Sequence, residues 1–164
     1  MGQKTFAVLG GDLRQYWAAR GLEALGYRTR CYAVPDPAHG VPRTQTLEEA
    51  LSNAEFVILP VPAFRGDGTL NAQGTPVDRA ALLEAISPGA WVFGGKLGAW
   101  AADAGERGLH PVDYLALEEM AVANAIPAAA AMLPRTIGLS NGRSYLRCFI
   151  FYKVITQSGE KINP

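Results

Sequence analysis

Asp12, Arg14 and Gln15 fall within one short stretch directly after a Gly10-Gly11 pair. Together they could recognise a small polar ligand. An arginine grips a carboxylate through two parallel N–H donors, a glutamine orients a ring or hydroxyl, and an aspartate holds the arginine or accepts a proton. Asp12 could equally be a helix N-cap and Arg14 a solvated first-turn residue, and at this stage both readings stand. The run departs from a dinucleotide-binding turn. That pattern needs glycine at its first, third and sixth positions, which here are Gly10, Asp12 and Gln15. A carboxylate in place of the second glycine repels phosphate unless an arginine or metal intervenes.

The elements that must position these residues are legible from periodicity. Thr5 to Leu9 reads as a strand, and Asp12 to Leu25 as a helix closed by Gly26. Tyr27 to Val34 alternates as a second strand, and the proline-rich loop from Pro35 to Pro42 follows it. Thr46 and Glu49 form a capping box at the start of a short helix. Phe56-Val57-Ile58-Leu59 is the continuous apolar run of a central parallel strand, and Pro60-Val61-Pro62 ends it. A long loop around residues 65–76 then leads to a helix from Val77 to Ile86. Ala90 to Phe93 is a fourth strand with the turn Gly94-Gly95-Lys96. A helix from Leu97 to Glu106 and a strand from Leu109 to Val112 follow, then a helix from Leu115 to Ala131 broken at Pro127.

Strict alternation predicts a three-layer α/β fold. Its mainly parallel, five-stranded, flavodoxin/Rossmann-like sheet should carry right-handed crossovers and helices on both faces. Ligands in such sheets lie beyond the carboxyl ends of the strands. The candidate binding set is therefore Gly10, Gly11, Asp12, Arg14, Gln15, Pro60 and Lys96, with Asn124 completing the crevice. Lys96 could supply a point charge or be a solvated surface lysine, and Asn124 could instead make a helix-terminal hydrogen bond. His39 and His110 have no carboxylate or cysteine at ligand spacing and read as structural, so no metal site is expected. No nucleophile elbow or lysine-ending phosphate loop is present in the sequence.

The 164 residues suit one domain of about 1–133, followed by an atypical tail, 134–164. The tail contains the strand-like run Tyr145 to Ile155, expected either at a sheet edge or disordered. Fifteen basic and fifteen acidic residues cancel, which argues against nucleic acid or an anionic membrane as partner. No apolar run is long enough to span a membrane, and nothing resembles a signal peptide. Cys31 and Cys148 read as ordinary thiols, so a cytoplasmic location is expected.

Three stretches in order resemble the N-terminal domain family of the dipicolinate synthase A subunit. They are Val8-Leu9-Gly10-Gly11-Asp12-Leu13-Arg14-Gln15, then Val57-Ile58-Leu59-Pro60-Val61-Pro62, then Asn124-Ala125-Ile126-Pro127 behind the acidic, apolar stretch Tyr114 to Val122. The resemblance covers roughly residues 3–127. It implies the substrate-side part of an NAD(P)-linked oxidoreductase subunit that makes dipicolinic acid in sporulation with a second, flavoprotein-like subunit. Family members carry a second, Rossmann domain for the nucleotide. Here Ala128-Ala129-Ala130-Ala131 and the residues after it depart from that pattern. The chain is thus expected to be a truncated or isolated half, without a bound cofactor and inactive alone. Its expected partners are a small dicarboxylate, further copies of itself and the second subunit. The alternative reading is a small-anion or partner-binding module without catalysis.

Overall fold

The computed structural model describes residues 3–116. Along them run β1 (Thr5–Leu9), α1 (Leu13–Ala24), β2 (Arg28–Tyr32), α2 (Leu47–Leu51), β3 (Phe56–Ile58), α3 (Arg79–Ala85), β4 (Trp91–Gly94), α4 (Trp100–Glu106) and β5 (His110–Asp113). The strands form one sheet in the order β2-β1-β3-β4-β5. Every pairing in it is parallel, in the registers Val8↔Cys31, Val8↔Ile58, Ile58↔Phe93 and Phe93↔Val112. This is the expected doubly wound architecture. From β1 the chain steps outward to β2, then returns past β1 and proceeds the other way. Right-handed crossovers therefore put α1 on one face and α2, α3 and α4 on the other.

The second face carries the larger core. Ala7, Leu9, Val57, Leu59 and Val92 pack there against Leu47 and Leu51 of α2, Leu82 of α3 and Trp100 of α4. The alternate strand residues Phe6, Val8, Phe56, Ile58 and Phe93 face the other way and are also buried, as parallel strands covered on both sides require. Phe6 stacks on Phe56 there at 4.6 Å between ring centroids.

Element ends differ from the periodicity reading wherever local backbone chemistry intervenes. Strand β2 stops at Tyr32 because Ala33 turns to φ 54°. Helix α3 starts only after Asp78, whose carboxylate caps the Ala81 N–H at 2.7 Å. Helix α4 starts at Trp100 instead of Leu97, since Lys96 and Gly98 both take positive φ, which a right-handed helix excludes. The capping box on α2 is present, with Thr46 and Glu49 exchanging side-chain and backbone bonds.

The long loop after β3 folds back onto the sheet. Leu70 and Ala72 are buried in the core, and the Asn71 carbonyl accepts the Gly11 N–H at 2.7 Å. A Cβ on Gly10 would lie 2.7 Å from that carbonyl and 2.8 Å from the Ala72 Cβ, at φ +58°. Gly10 is needed for this approach. The domain end at residue 133, the tail, the helix from Leu115 through Pro127, Cys148 and the third family-like stretch lie largely or wholly outside the described residues. Among the described residues no helix is long and apolar enough to cross a membrane.

Replacing Gly10 by alanine should cost about 2 kcal/mol or more, from left-handed strain plus the clash with the loop. In a urea melt the midpoint should fall, and exchange of the Gly11 amide should quicken. An unchanged midpoint would show that the loop does not press on this turn.

Candidate functional site

The carboxyl edge of the sheet is closed by neighbouring strand exits satisfying one another. Beyond β1, the Gly10 N–H donates to the Tyr32 carbonyl at 2.9 Å and the Gly11 N–H to Asn71. Beyond β3, the Ala63 N–H donates to the Gly95 carbonyl at 2.8 Å, and the Asn71 carboxamide donates to the Pro62 carbonyl at 3.1 Å. Beyond β4, the turn is held by Asp113 at the end of β5. Its carboxylate accepts from the Leu97 N–H at 2.8 Å and from the Lys96 N–H at 3.2 Å. These bonds link the turns after β1, β3 and β4 into one rim.

Asp12 and Arg14 sit on that rim as a pair. Asp12 is the N-cap of α1 and accepts from the Arg14 backbone N–H at 2.9 Å. The same carboxylate takes the arginine side chain, with Nε to Oδ1 at 2.9 Å and Nη2 to Oδ2 at 2.8 Å. Nη2 also donates to the Val61 carbonyl at 2.9 Å, tying the start of α1 to the exit of β3. Capping and arginine-holding, open alternatives from sequence, are performed together. The guanidinium carries five N–H donors, and this arrangement engages Nε and both hydrogens of Nη2. Among the described residues the donors on Nη1 have no hydrogen-bond partner. A grip through two parallel N–H groups, expected from sequence, is not offered in this arrangement, because a carboxylate two residues away already fills one fork and Val61 takes part of the other.

The remaining predicted residues divide by exposure. Gln15 is buried, with its Nε2 3.4 Å from the carbonyls of Leu9 and Ile58, so it braces β1 against β3 beneath the rim. Pro60 is buried, and a Cβ on Gly11 would lie 2.9 Å from its Cβ. Lys96 is exposed on the β4 turn at φ 58°. Asn124 lies outside the described residues. His39 and His110 are exposed, the latter beside Trp91. Burial pushes the Cys31 thiol up to about 12, which keeps it protonated and inert.

Sequence reasoning missed Asp113 and Tyr114. Tyr114 is buried next to the rim, its N–H donating to the Gly94 carbonyl at 3.0 Å. Burial pushes its hydroxyl well above the ordinary tyrosine range, Arg14 pulls it back, and Asp113 and Asp12 push it up. An acidic residue at the carboxyl end of the last strand was the available signal for Asp113, whereas nothing in the sequence marked Tyr114 as an electrostatic neighbour of Arg14.

The geometry has a consequence for cofactors. The amides of Gly10 and Gly11 are consumed by Tyr32 and Asn71, and the Asp12 carboxylate stands where a pyrophosphate would come. This corner does not fit a dinucleotide. Among the described residues no group of three or more His, Cys, Asp or Glu could hold a metal ion.

The comparisons agree with this picture at the level of family and fold. Residues 5–115 match the family model described as the N-terminal domain of the dipicolinate synthase A subunit. The A chain of dipicolinate synthase from Bacillus subtilis is 20% identical, with a TM-score of 0.65 over 80% of this chain and 46% of that one. The corresponding dipicolinate synthase chain from Bacillus halodurans is 16% identical, with a TM-score of 0.62 over 79% of this chain and 47% of that one. The chain thus spans about half the length of these solved relatives. No curated protein matches it.

The Arg14 hydrogen bonds lower the Asp12 carboxyl below the ordinary aspartate range, against an opposing contribution from burial. A carboxyl lowered on folding stabilises above its unfolded value of about 4, and that contribution disappears as pH falls through the lower folded value. In an NMR titration Asp12 should therefore titrate below the ordinary aspartate range and move back up in Arg14→Ala. A midpoint unmoved by that substitution would break the assigned pairing.

Proposed function

The chain belongs to the family of dipicolinate synthase A-subunit N-terminal domains, and from that premise we propose that it is the substrate-side domain of a dipicolinate synthase-like oxidoreductase. In this reading it acts in the cytoplasm during sporulation, on the route to dipicolinic acid, partnered by a second subunit. The observation that carries the reading is the Arg14 guanidinium on the sheet's carboxyl edge, anchored by Asp12 and Val61, with Nη1 unpartnered among the described residues. One carboxylate of a ring dicarboxylate contacts Nη1, and Lys96 on the neighbouring turn supplies positive charge for the other. Gly10, Gly11, Gln15 and Pro60 shape the floor and hold the strand exits, without contacting the ligand themselves. Asn124 belongs to the proposal only as a residue of the family-like stretch.

The nicotinamide nucleotide is assigned to a separate domain, since the first corner here does not fit a pyrophosphate. That assignment makes the chain by itself a binding unit without turnover. Exposed Leu13 and Leu25, at the two ends of α1, offer apolar surface for a partner chain or a second copy.

Calorimetric titration with pyridine-2,6-dicarboxylate tests the site. Wild-type protein should bind, and Arg14→Ala should bind about tenfold or more weakly, the usual cost of losing a hydrogen bond to a charged group. Equal binding by the two proteins removes Arg14 from the site. Adding a separately produced family nucleotide-binding domain and second subunit should restore NAD(P)-linked turnover. Binding with lasting inactivity in that mixture favours the non-catalytic module instead.

A further inference from the structure

We propose that Asp113 is a positioning residue for Lys96, holding it in left-handed backbone on the carboxyl edge of the sheet that also carries Arg14. The inference rests on the diacid site proposed at Arg14, in which Lys96 meets the second carboxylate. Its starting point is the backbone of the turn after β4. Lys96 takes φ 58°, a conformation open to glycine and unfavourable for a residue with a Cβ. Gly95 precedes it and Gly98 itself takes φ 57°, so the turn is already rich in the residue that adopts this shape without strain. A lysine here stores strain, which persists only where the surroundings over-determine it.

Asp113 supplies that constraint. It is the last residue of β5 and pairs with Gly94 in the parallel register, which sets its carboxylate against the turn. Oδ1 accepts the Lys96 N–H at 3.2 Å and the Leu115 N–H at 3.1 Å, and Oδ2 accepts the Leu97 N–H at 2.8 Å. Left-handed backbone lets successive amides converge on one anion, and here the anion is the protein's own side chain. One carboxylate thereby fixes the amides on both sides of the Lys96 Cα.

Burial shows what the conformation achieves. Gly94, Gly95 and Leu97 are buried, and Lys96 alone of the four is exposed. The turn is also tied to Arg14 through backbone. The Gly95 carbonyl accepts the Ala63 N–H at 2.8 Å, and a Cβ on Gly95 would lie 2.8 Å from Val61. The Val61 carbonyl in turn accepts from Nη2 of Arg14 at 2.9 Å. Lys96 and Arg14 are therefore carried by turns whose separation is set by packed backbone, and two basic side chains so held suit a ligand with two carboxylates. A glycine at position 96 would leave the turn intact and remove only the charge.

Calorimetric titration with pyridine-2,6-dicarboxylate and urea melts, run on the same variants, separate positioning from a role in the fold alone. Lys96→Gly should melt at an equal or higher urea concentration while binding the acid about fivefold more weakly, the upper range for an exposed ion pair. Asp113→Asn should fold and weaken binding by a similar factor. Added to Lys96→Gly, the same Asp113→Asn change should alter affinity by less than about twofold, because residues that act through one another are not additive. Unchanged binding in Lys96→Gly, with affinity still lost in Arg14→Ala, overturns the inference and leaves the diacid site standing. A lower urea midpoint in Lys96→Gly, or wild-type binding by Asp113→Asn, overturns it as well. A further loss in the double variant, or failure of Asp113→Asn to fold, assigns the carboxylate to the fold alone and overturns positioning. Binding absent from the wild type, or indifferent to Arg14→Ala, overturns the diacid site and this inference together.

Discussion

A parallel strand that ends inside a protein leaves its next amides and carbonyls without ladder partners, and each must find another one. In this domain the exits of adjacent strands supply them to one another. Gly11 donates to Asn71, Ala63 to Gly95, Gln15 to the ends of β1 and β3, and Asp113 collects the amides of the β4 turn. The rim is therefore built largely from backbone, and its glycines are sites of close approach. Gly95 illustrates this, since a Cβ there would lie 2.8 Å from Val61. What remains available to a ligand is set by what this mutual satisfaction leaves over.

The leftovers are few and specific. A helix start with free amides would draw phosphate, but here Asp12 caps α1, the loop after β3 covers the Gly10-Gly11 turn, and Arg14 is drawn into a clasp across to Val61. At the corner where this fold class elsewhere cradles a dinucleotide, the backbone amides and the helix start are thereby already engaged. The change requires no new element. A carboxylate takes the place of the second fingerprint glycine, and the loop after β3 folds back onto the turn.

Much of this was legible in the residues themselves. The apolar runs placed β1 and β3, the Thr46–Glu49 spacing announced the α2 cap, and the alternation of elements implied a mainly parallel five-stranded sheet. The starts of α3 and α4 were not legible from periodicity, because single residues decided them: the Asp78 cap in one case and left-handed backbone at Lys96 and Gly98 in the other. Nor did the sequence show that Gln15, which reads as a ligand contact, would be buried as a brace between strands.

Residue order by itself determined the fold class, the family-like corner and the types of group on it, since hydrophobic period and turn chemistry act over a few neighbouring positions. Only the tertiary structure decided which donors and acceptors on that corner are already spent. Val61 lies 47 positions from Arg14, and Asp113 lies 16 positions from Leu97. Hydrogen bonds over such separations exist only once the sheet has brought the strand exits side by side.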